Sequence, residues 1–147
     1  MRVLLADDSA LIRERLKDML SVFQQVEIVG SFENGVDTLQ ALRLLKPDLA
    51  IVDLKMPGLS GLDVLTGIRK ENTTLKFIIL SFFSSGYYRQ LAIQAGVDYF
   101  FSKVDDFEKV EVVINEMLNI YWIKNNGYDP TYFFIGDVLF LFNRKPD

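Results

Sequence analysis

Cysteine and histidine are both absent from this sequence of 147 residues. Without cysteine, the chain has no disulfide, no thiol nucleophile and no metal site built on thiolates. Without histidine, it has no Ser-His-Asp triad and no imidazole acid or base. Any metal site must therefore use oxygen ligands, which favours Mg²⁺, Mn²⁺ or Ca²⁺. Covalent chemistry would have to use Asp, Glu, Ser, Thr, Tyr or Lys.

Long hydrophobic runs and an excess of basic residues are also missing. No apolar run approaches the ~20 residues of a membrane-spanning helix. The amino terminus starts a strand at once, so we predict no signal peptide and a cytoplasmic location. With 16 basic and 20 acidic residues, the net charge is -4, which argues against direct DNA binding. Half of the residues are hydrophobic, enough for the core of one ordinary domain.

Short apolar runs alternate with helical patterns along most of the chain. A polar Ser9 precedes the first helical pattern and is a candidate cap. Strand followed by helix, repeated in this way, predicts an α/β fold with a doubly wound five-stranded parallel sheet. One known order of such sheets is 2-1-3-4-5, in which strands one, three and four are neighbours, and we take it as the expected order. The runs that predict strands are residues 2–6, 26–30, 49–54, 75–81 and 98–102, and the last helix is predicted to begin at Asp106.

Polar residues stand at the carboxyl ends of four of the five predicted strands. Asp7 and Asp8 follow the first strand, and Asp53 ends the third. Ser81 ends the fourth strand, and Lys103 follows the fifth. Each residue alone has an ordinary structural interpretation, such as a cap or a solvated loop. In the order 2-1-3-4-5, however, all of them would meet at one edge of the sheet, where ligands of such folds bind.

The chemistry of this combination points to phosphoryl transfer. Three carboxylates close together destabilise one another unless a cation lies among them. A hard divalent ion that keeps several waters fits best, so we predict Mg²⁺. Lys103 adds a mobile positive charge, and metal plus lysine can neutralise a phosphoryl group. Asp53, between the acid pair and Lys103, is the natural phosphoryl acceptor.

Four segments match a known family in their order and approximate spacing: LLADDS, DLAIVDLKMPGLSGLDVL, FIILS and QAGVDYFFSK. On these motifs, the chain resembles the receiver domain of two-component response regulators, which has a flavodoxin-like fold. The resemblance covers roughly residues 1–122. We therefore predict a receiver domain over residues 1–123 and a C-terminal extension over residues 124–147.

The resemblance implies a magnesium-dependent phosphorylation site. Asp53 is similar to the aspartate that takes a phosphoryl group from a partner's phosphohistidine. Asp8 is similar to the direct metal ligand and Asp7 to the one that acts mainly through water. Lys55 falls where the family uses a backbone carbonyl as ligand, so its side chain is not implicated. Because this chain has no histidine, the donor would be a sensor histidine kinase or a phosphotransfer protein.

The family's switch residues are also present. Ser81 matches the hydroxyl that hydrogen-bonds the phosphoryl group, and Lys103 matches the lysine that contacts a phosphoryl oxygen. Phe100 occupies the place of the switch aromatic, with a simple core residue as the alternative. The resemblance implies that phosphorylation shifts a population, turns Phe100 inward and changes a surface that binds a downstream protein target.

The sequence departs from the family pattern near the site. Phe82 stands where the family usually has a small residue, so its ring could narrow access to the phosphoryl site or point outward. Phe83 follows, at a position that tunes hydrolysis lifetimes in the family. The family's lysine is normally followed by a cis proline, but here Val104 follows Lys103. We expect a trans bond, because a cis bond without proline costs roughly 3 kcal/mol. With Tyr87, Tyr88 and Tyr99, these rings make this end of the molecule strongly aromatic, and they could form a partner-binding patch or belong to the core.

The last part of the chain is almost wholly apolar over residues 132–142. Gly136 and Asp137 lie between two apolar runs, which predicts a two-residue hairpin turn, with a single amphipathic helix as the alternative. The segment could pack on its own domain, or it could contact a partner or form a homodimer. It is too short for a helix-turn-helix output domain.

We therefore expect a stand-alone receiver, a phosphorylated switch and not an enzyme with an external substrate. One alternative is a pseudo-receiver, a binding module that no longer accepts phosphate, which Phe82 and Val104 favour. Another is a metal-dependent phosphatase with an aspartate nucleophile. That class usually needs an acid two residues after the nucleophile, where this chain has Lys55.

Overall fold

The structure, a computed structural model, describes residues 1–126, 129–135 and 138–144. The chain divides into two units, Met1–Glu111 and Val112–Asp147. Strands and helices alternate in the predicted order. The elements are β1 (Arg2–Ala6), α1 (Ala10–Leu20), β2 (Glu27–Phe32), α2 (Gly35–Leu45), β3 (Leu49–Val52), α3 (Gly61–Arg69), β4 (Lys76–Ser81), α4 (Gly86–Gln94), β5 (Tyr99–Ser102) and α5 (Lys109–Asn126).

The five strands form one parallel sheet in the order β2-β1-β3-β4-β5, which confirms the predicted flavodoxin-like topology. Strand β3 lies between β1 and β4, and each of its four residues is buried. A continuous apolar run fits this place, because a central parallel strand is covered on both faces. The pairing of Ala6 with Val52 brings the carboxyl ends of β1 and β3 side by side.

Side-chain caps begin the helices that follow these two strands. The Ser9 hydroxyl accepts a hydrogen bond from the Ile12 backbone N–H, so the predicted cap of α1 is confirmed. Ser60 and Asp63 form a capping box at the start of α3, in which each side chain accepts from the other residue's backbone. Such caps satisfy N–H groups that the helix itself leaves without partners. They define where the loops after β1 and β3 end.

Several predicted boundaries are wrong. Strand β3 ends at Val52 and not at residue 54. Strand β2 does not end at Gly30 but continues to Phe32, because Ser31 and Phe32 pair with β1. Sheet pairing here outweighs the tendency of glycine to interrupt a strand. Helix α5 begins at Lys109 and not at Asp106.

The second unit contains two antiparallel strands, β6 (Asp129–Ile135) and β7 (Val138–Arg144). Strands, and not the alternative helix, therefore form the apolar tail. The predicted turn at Gly136 and Asp137 lies outside the described residues. The boundary between residues 1–123 and 124–147 and the role of the tail stay predictions.

Among the described residues, no helix combines the length and apolar character that crossing a bilayer requires. The cytoplasmic location stays a prediction.

Candidate functional site

Two acidic residues follow the paired ends of the central strands. The Asp53 backbone N–H donates to the Ala6 carbonyl oxygen at 2.8 Å. The Asp7 backbone N–H donates to the Phe32 carbonyl oxygen at 3.0 Å, so the last residue of β2 helps to hold Asp7. These main-chain bonds place both acids at the same edge of the sheet.

The carboxylates of Asp7, Asp8 and Asp53 converge at this edge. One oxygen from each lies within 4.8 Å of the others. Asp7 and Asp53 are buried, whereas Asp8 is exposed. Three carboxylates at this spacing form a donor set of the kind that Mg²⁺ prefers, so the residues fit the predicted metal.

Lys103 lies against two of these acids. Its Nζ atom is 2.6 Å from Asp7 Oδ2 and 3.1 Å from Asp53 Oδ2. The lysine side chain is only 2 % exposed, so this is a buried ionic cluster. The group of three carboxylates outnumbers this single ammonium, which contacts Asp7 and Asp53.

The surroundings of Asp53 disfavour its ionised form. Burial first, and the nearby charge of Asp7 second, raise the pKa of Asp53 to about 6. The Lys103 ammonium and a hydrogen bond from the Lys55 backbone oppose this rise. The ionised form of Asp53 is therefore strained by its surroundings in the protein alone, and a cation would relieve that strain.

Lys55 contacts the site through a backbone hydrogen bond to Asp53. The side-chain Nζ atom lies over two aromatic rings, 4.6 Å from the centre of Phe83 and 5.2 Å from that of Tyr88. Cation–π contacts of this kind hold the Lys55 side chain beside these two rings. The assignment of the Lys55 carbonyl as a metal ligand stays a prediction.

Ser81 ends β4 and is fully buried. Its hydroxyl oxygen accepts a hydrogen bond from the Phe83 backbone N–H at 3.0 Å. The Ser81 carbonyl accepts from the Lys103 backbone N–H at 3.0 Å, which ties the ends of β4 and β5 together. Ser81 therefore neighbours Lys103 through the backbone, and its predicted bond to a phosphoryl group stays a prediction.

Phe100 lies in the hydrophobic core and is 6 % exposed. The Arg89 guanidinium lies 4.9 Å from the centre of its ring and donates to the Phe100 carbonyl oxygen at 2.9 Å. The ring is thus already turned inward in this structure. Its role as a switch stays a prediction.

The predicted aromatic patch is divided between surface and core. Phe82 is 60 % exposed, yet its ring centre lies 4.9 Å from the Nζ atom of Lys103. Phe83 and Tyr87 are also exposed, whereas Tyr88 packs against the core. The ring at position 82 therefore covers the lysine and faces solvent at the same time.

Sequence reasoning missed the part played by Gly61. A Cβ atom at this position would lie 2.2 Å from the Asp53 carbonyl oxygen. The Gly61 N–H donates to the Leu54 carbonyl at 2.8 Å, which holds the loop after β3 closely against the start of α3. Only glycine permits this approach. The glycine-rich MPGLSG loop was the available signal.

The departure at Val104 leaves the backbone as predicted. The described residues contain no cis peptide bond, so Lys103 and Val104 are joined in trans. Lys103 nevertheless reaches the acidic cluster.

Comparison with known proteins agrees with this geometry. The family model described as the response regulator receiver domain matches residues 3–115. The chain belongs to the response regulator receiver domain family.

One curated relative is a protein-glutamate methylesterase/protein-glutamine glutaminase from Carboxydothermus hydrogenoformans, 35% identical over 120 residues. The match covers 81% of this chain but only 35% of that protein, so the relative's activity is not transferred.

Solved receiver structures share the fold. The signal receiver domain of a NarL response regulator from Mycobacterium tuberculosis aligns with a TM-score of 0.73 and 25% identity, over 80% of this chain and 95% of that one. The response regulator domain of Thermotoga maritima CheB aligns with a TM-score of 0.70 and 28% identity, over 81% of this chain and 93% of that one. The receiver fold thus accounts for most of the described chain.

Proposed function

We propose that this receiver is a switch controlled by phosphorylation of Asp53. The observation that carries the proposal is the position of Lys103, whose ammonium bridges Asp7 and Asp53 within a group of three carboxylates. A buried cation beside a central carboxylate can follow negative charge to a new phosphoryl oxygen. The deeper the burial, the stronger this electrostatic response.

The phosphoryl donor is a phosphohistidine of another protein, a sensor histidine kinase or a phosphotransfer protein, because this chain has no histidine. An Asp53 carboxylate oxygen attacks the phosphorus and forms a P–O bond. The P–N bond of the donor breaks, and the imidazole nitrogen takes the electron pair and then a proton. The product is an acyl phosphate on Asp53 and a neutral donor histidine.

The remaining residues position and neutralise the transferred group. Asp7, Asp8, Asp53 and the carbonyl of Lys55 would hold Mg²⁺, which when bound neutralises charge on the phosphoryl oxygens. Lys103 exchanges a carboxylate for a phosphoryl oxygen, and the Ser81 hydroxyl donates to another. Phosphorylation would then draw Ser81 towards the phosphoryl group and favour the arrangement in which Phe100 is turned inward, which changes the surface that a downstream protein target binds.

We infer that the output is a protein contact and not DNA binding. A net charge of -4 gives little attraction to a nucleic acid backbone. The receiver acts on itself and returns to its starting state by slow hydrolysis, so it is a switch without an external substrate. A homodimer is one form that the protein contact could take.

Intact mass spectrometry tests the proposal. The full chain is incubated with Mg²⁺ and a small acyl phosphate, and a single phosphoryl adduct is expected. Asp53→Ala should abolish the adduct, whereas Asp18→Asn, which removes an exposed acid on α1, should not.

Other outcomes would support the rival functions. An absent adduct in the wild-type chain would favour a pseudo-receiver, for which the Phe82 ring over Lys103 is the specific evidence. Steady turnover of an external phosphomonoester would favour a phosphatase. An adduct that persists in Asp53→Ala would place the acceptor elsewhere.

A further inference from the structure

The loop after β5 determines where Lys103 points. Lys103 is the first residue beyond the strand, and its ammonium lies between two buried acids. A side chain of this length can take many rotamers, so its placement depends on a fixed backbone at its base. The loop from Lys103 to Glu108 contains neither glycine nor proline, which raises the question of what stiffens it.

Ser102 and Asp106 close this loop on itself. The Ser102 hydroxyl oxygen accepts hydrogen bonds from the backbone N–H groups of Val104 and Asp105, both at 3.2 Å. The Asp106 carboxylate accepts from the Ser102 N–H at 3.0 Å, and the Asp106 N–H donates to the Ser102 carbonyl at 2.9 Å. These four hydrogen bonds join Ser102 to Val104, Asp105 and Asp106, so they enclose the backbone of Lys103. We call this set the 102–106 brace.

The brace is not an ordinary helix cap. The Asp106 carboxylate points back to Ser102 at the end of β5. The Lys109 backbone N–H, at the start of α5, bonds instead to the Asp106 carbonyl. A cap would direct its side chain toward the free N–H groups of the helix.

Charge strengthens the brace. The Lys109 ammonium lies 2.7 Å from Asp106 Oδ1, while the other carboxylate oxygen accepts from Ser102. The hydrogen bond from Lys109, followed by that from Ser102, lowers the pKa of Asp106. The acceptor therefore stays ionised at neutral pH, and bonds to an ionised acceptor are stronger than neutral ones.

We propose that Ser102 and Asp106 are positioning residues, which hold the loop in the shape from which Lys103 reaches Asp7 and Asp53. The inference rests on the proposed function, because the value of this placement lies in phosphoryl transfer to Asp53. Neither residue touches the reacting atoms. Both act through the backbone of Lys103.

The test is a double-mutant cycle in the full chain. The rate of phosphoryl adduct formation with a small acyl phosphate and Mg²⁺ is measured for wild type, Asp106→Ala, Lys103→Ala and the double variant. Asp106→Ala should slow the reaction about tenfold, since a misplacement of 1 Å can cost up to about 10²-fold. In the Lys103→Ala background, the same change should have less than about a twofold effect, because no lysine is left to position.

Matched variants separate positioning from folding. Asp105→Ala removes a neighbouring exposed acid but keeps the N–H that Ser102 uses, so its rate should equal that of wild type. Asp106→Asn keeps an oxygen acceptor for the Ser102 N–H and should restore most of the rate. If Asp106→Ala does not fold, as judged by circular dichroism, Ser102→Ala replaces it in the cycle.

A second measurement needs no phosphorylation. In metal-free protein labelled with ¹⁵N-lysine, the buried Lys103 ammonium should give a slowly exchanging NMR signal, assigned by its loss in Lys103→Ala. Asp106→Ala should shift or remove that signal, and Asp105→Ala should not.

Three results would overturn the inference: an unchanged signal in Asp106→Ala, an unchanged rate, or an equal loss of rate in both lysine backgrounds. Failure of the wild-type chain to form an adduct would instead refute the proposed function, and the NMR result would still decide the inference.

Discussion

Charges are balanced at one end of the parallel strands and unbalanced at the other; we call these the amino edge and the carboxyl edge of the sheet. At the amino edge, before β5, Asp98 is 2.8 Å from the Arg69 guanidinium and 3.6 Å from the Lys76 ammonium, and it accepts from the Phe77 N–H at 2.8 Å. At the carboxyl edge, one lysine faces three carboxylates. Balanced charge stabilises the first edge. Unbalanced charge at the second edge, together with burial, raises the pKa of Asp53 and leaves a group of acids that a cation would stabilise.

The comparison shows how to tell structural from functional charges. An acid whose donors and cations satisfy it completely contributes to the fold. A buried acid whose ionised form the nearby cations do not balance destabilises the fold, so a raised pKa beside a second acid is a useful marker of a candidate functional site. The following predictions test this division, from the largest expected effect to the smallest.

Removal of Lys103 should have the largest effect. Lys103→Met leaves two buried carboxylates without their cation, and we expect it to lower the free energy of unfolding by about 3–5 kcal/mol in metal-free buffer. Denaturant unfolding measures this loss. Lys17→Met, which removes the partner of the exposed Glu14, should change stability by less than about 1 kcal/mol. Equal losses in the two variants would contradict the prediction.

Neutralising Asp53 should stabilise the metal-free protein. Its pKa is about 6 in the folded protein against an ordinary value of 3.8, so the folded state holds the proton more tightly than the unfolded chain does. As far as Asp53 is concerned, the free energy of unfolding is therefore highest below pH 4 and falls as the pH rises to about 6. At pH 7, Asp53→Asn should gain about 2–3 kcal/mol, at 1.4 kcal/mol per pKa unit.

The matching change at the amino edge should have the opposite sign. Asp98→Asn weakens the contacts with Arg69 and Lys76 and should lower stability at pH 7. Unfolding curves from pH 4 to 8 with a chelator measure both variants. A gain for Asp98→Asn, or a loss for Asp53→Asn that persists at every pH, would remove the distinction between the edges.

Disruption of the amino edge should affect stability without affecting chemistry. Arg69 donates to Asp98, to the Gly96 carbonyl and to the Leu75 carbonyl. Arg69→Met should therefore cost about 2 kcal/mol of stability, within the range for hydrogen bonds to charged groups. The phosphorylation rate of the folded variant at low temperature should equal that of wild type. A slower rate in a fully folded sample would show that this edge takes part in the reaction.

The smallest effect is expected at the rim of the pocket. The Phe82 ring covers the Lys103 ammonium, so Phe82→Ala should open access for donor and water. We expect adduct formation and hydrolysis to become about threefold faster, which corresponds to ~0.6 kcal/mol in the barrier. Tyr87→Ala serves as the control, because it removes an exposed ring that lies on helix α4. Equal rates in Phe82→Ala and wild type would mean that the ring leaves access free.

The sequence by itself determined the alternation of strands and helices and the strand ends at which Asp7, Asp8 and Asp53 lie, because apolar runs specify buried strands. The strand order came from a known order of such sheets and from the family resemblance, since local patterns do not specify which strands pair. Only the tertiary structure decided the ion pairs of Lys103, the raised pKa of Asp53, the place of the Phe82 ring and the 102–106 brace. Each of these depends on burial and on distances between atoms far apart in the chain, which residue order does not encode locally.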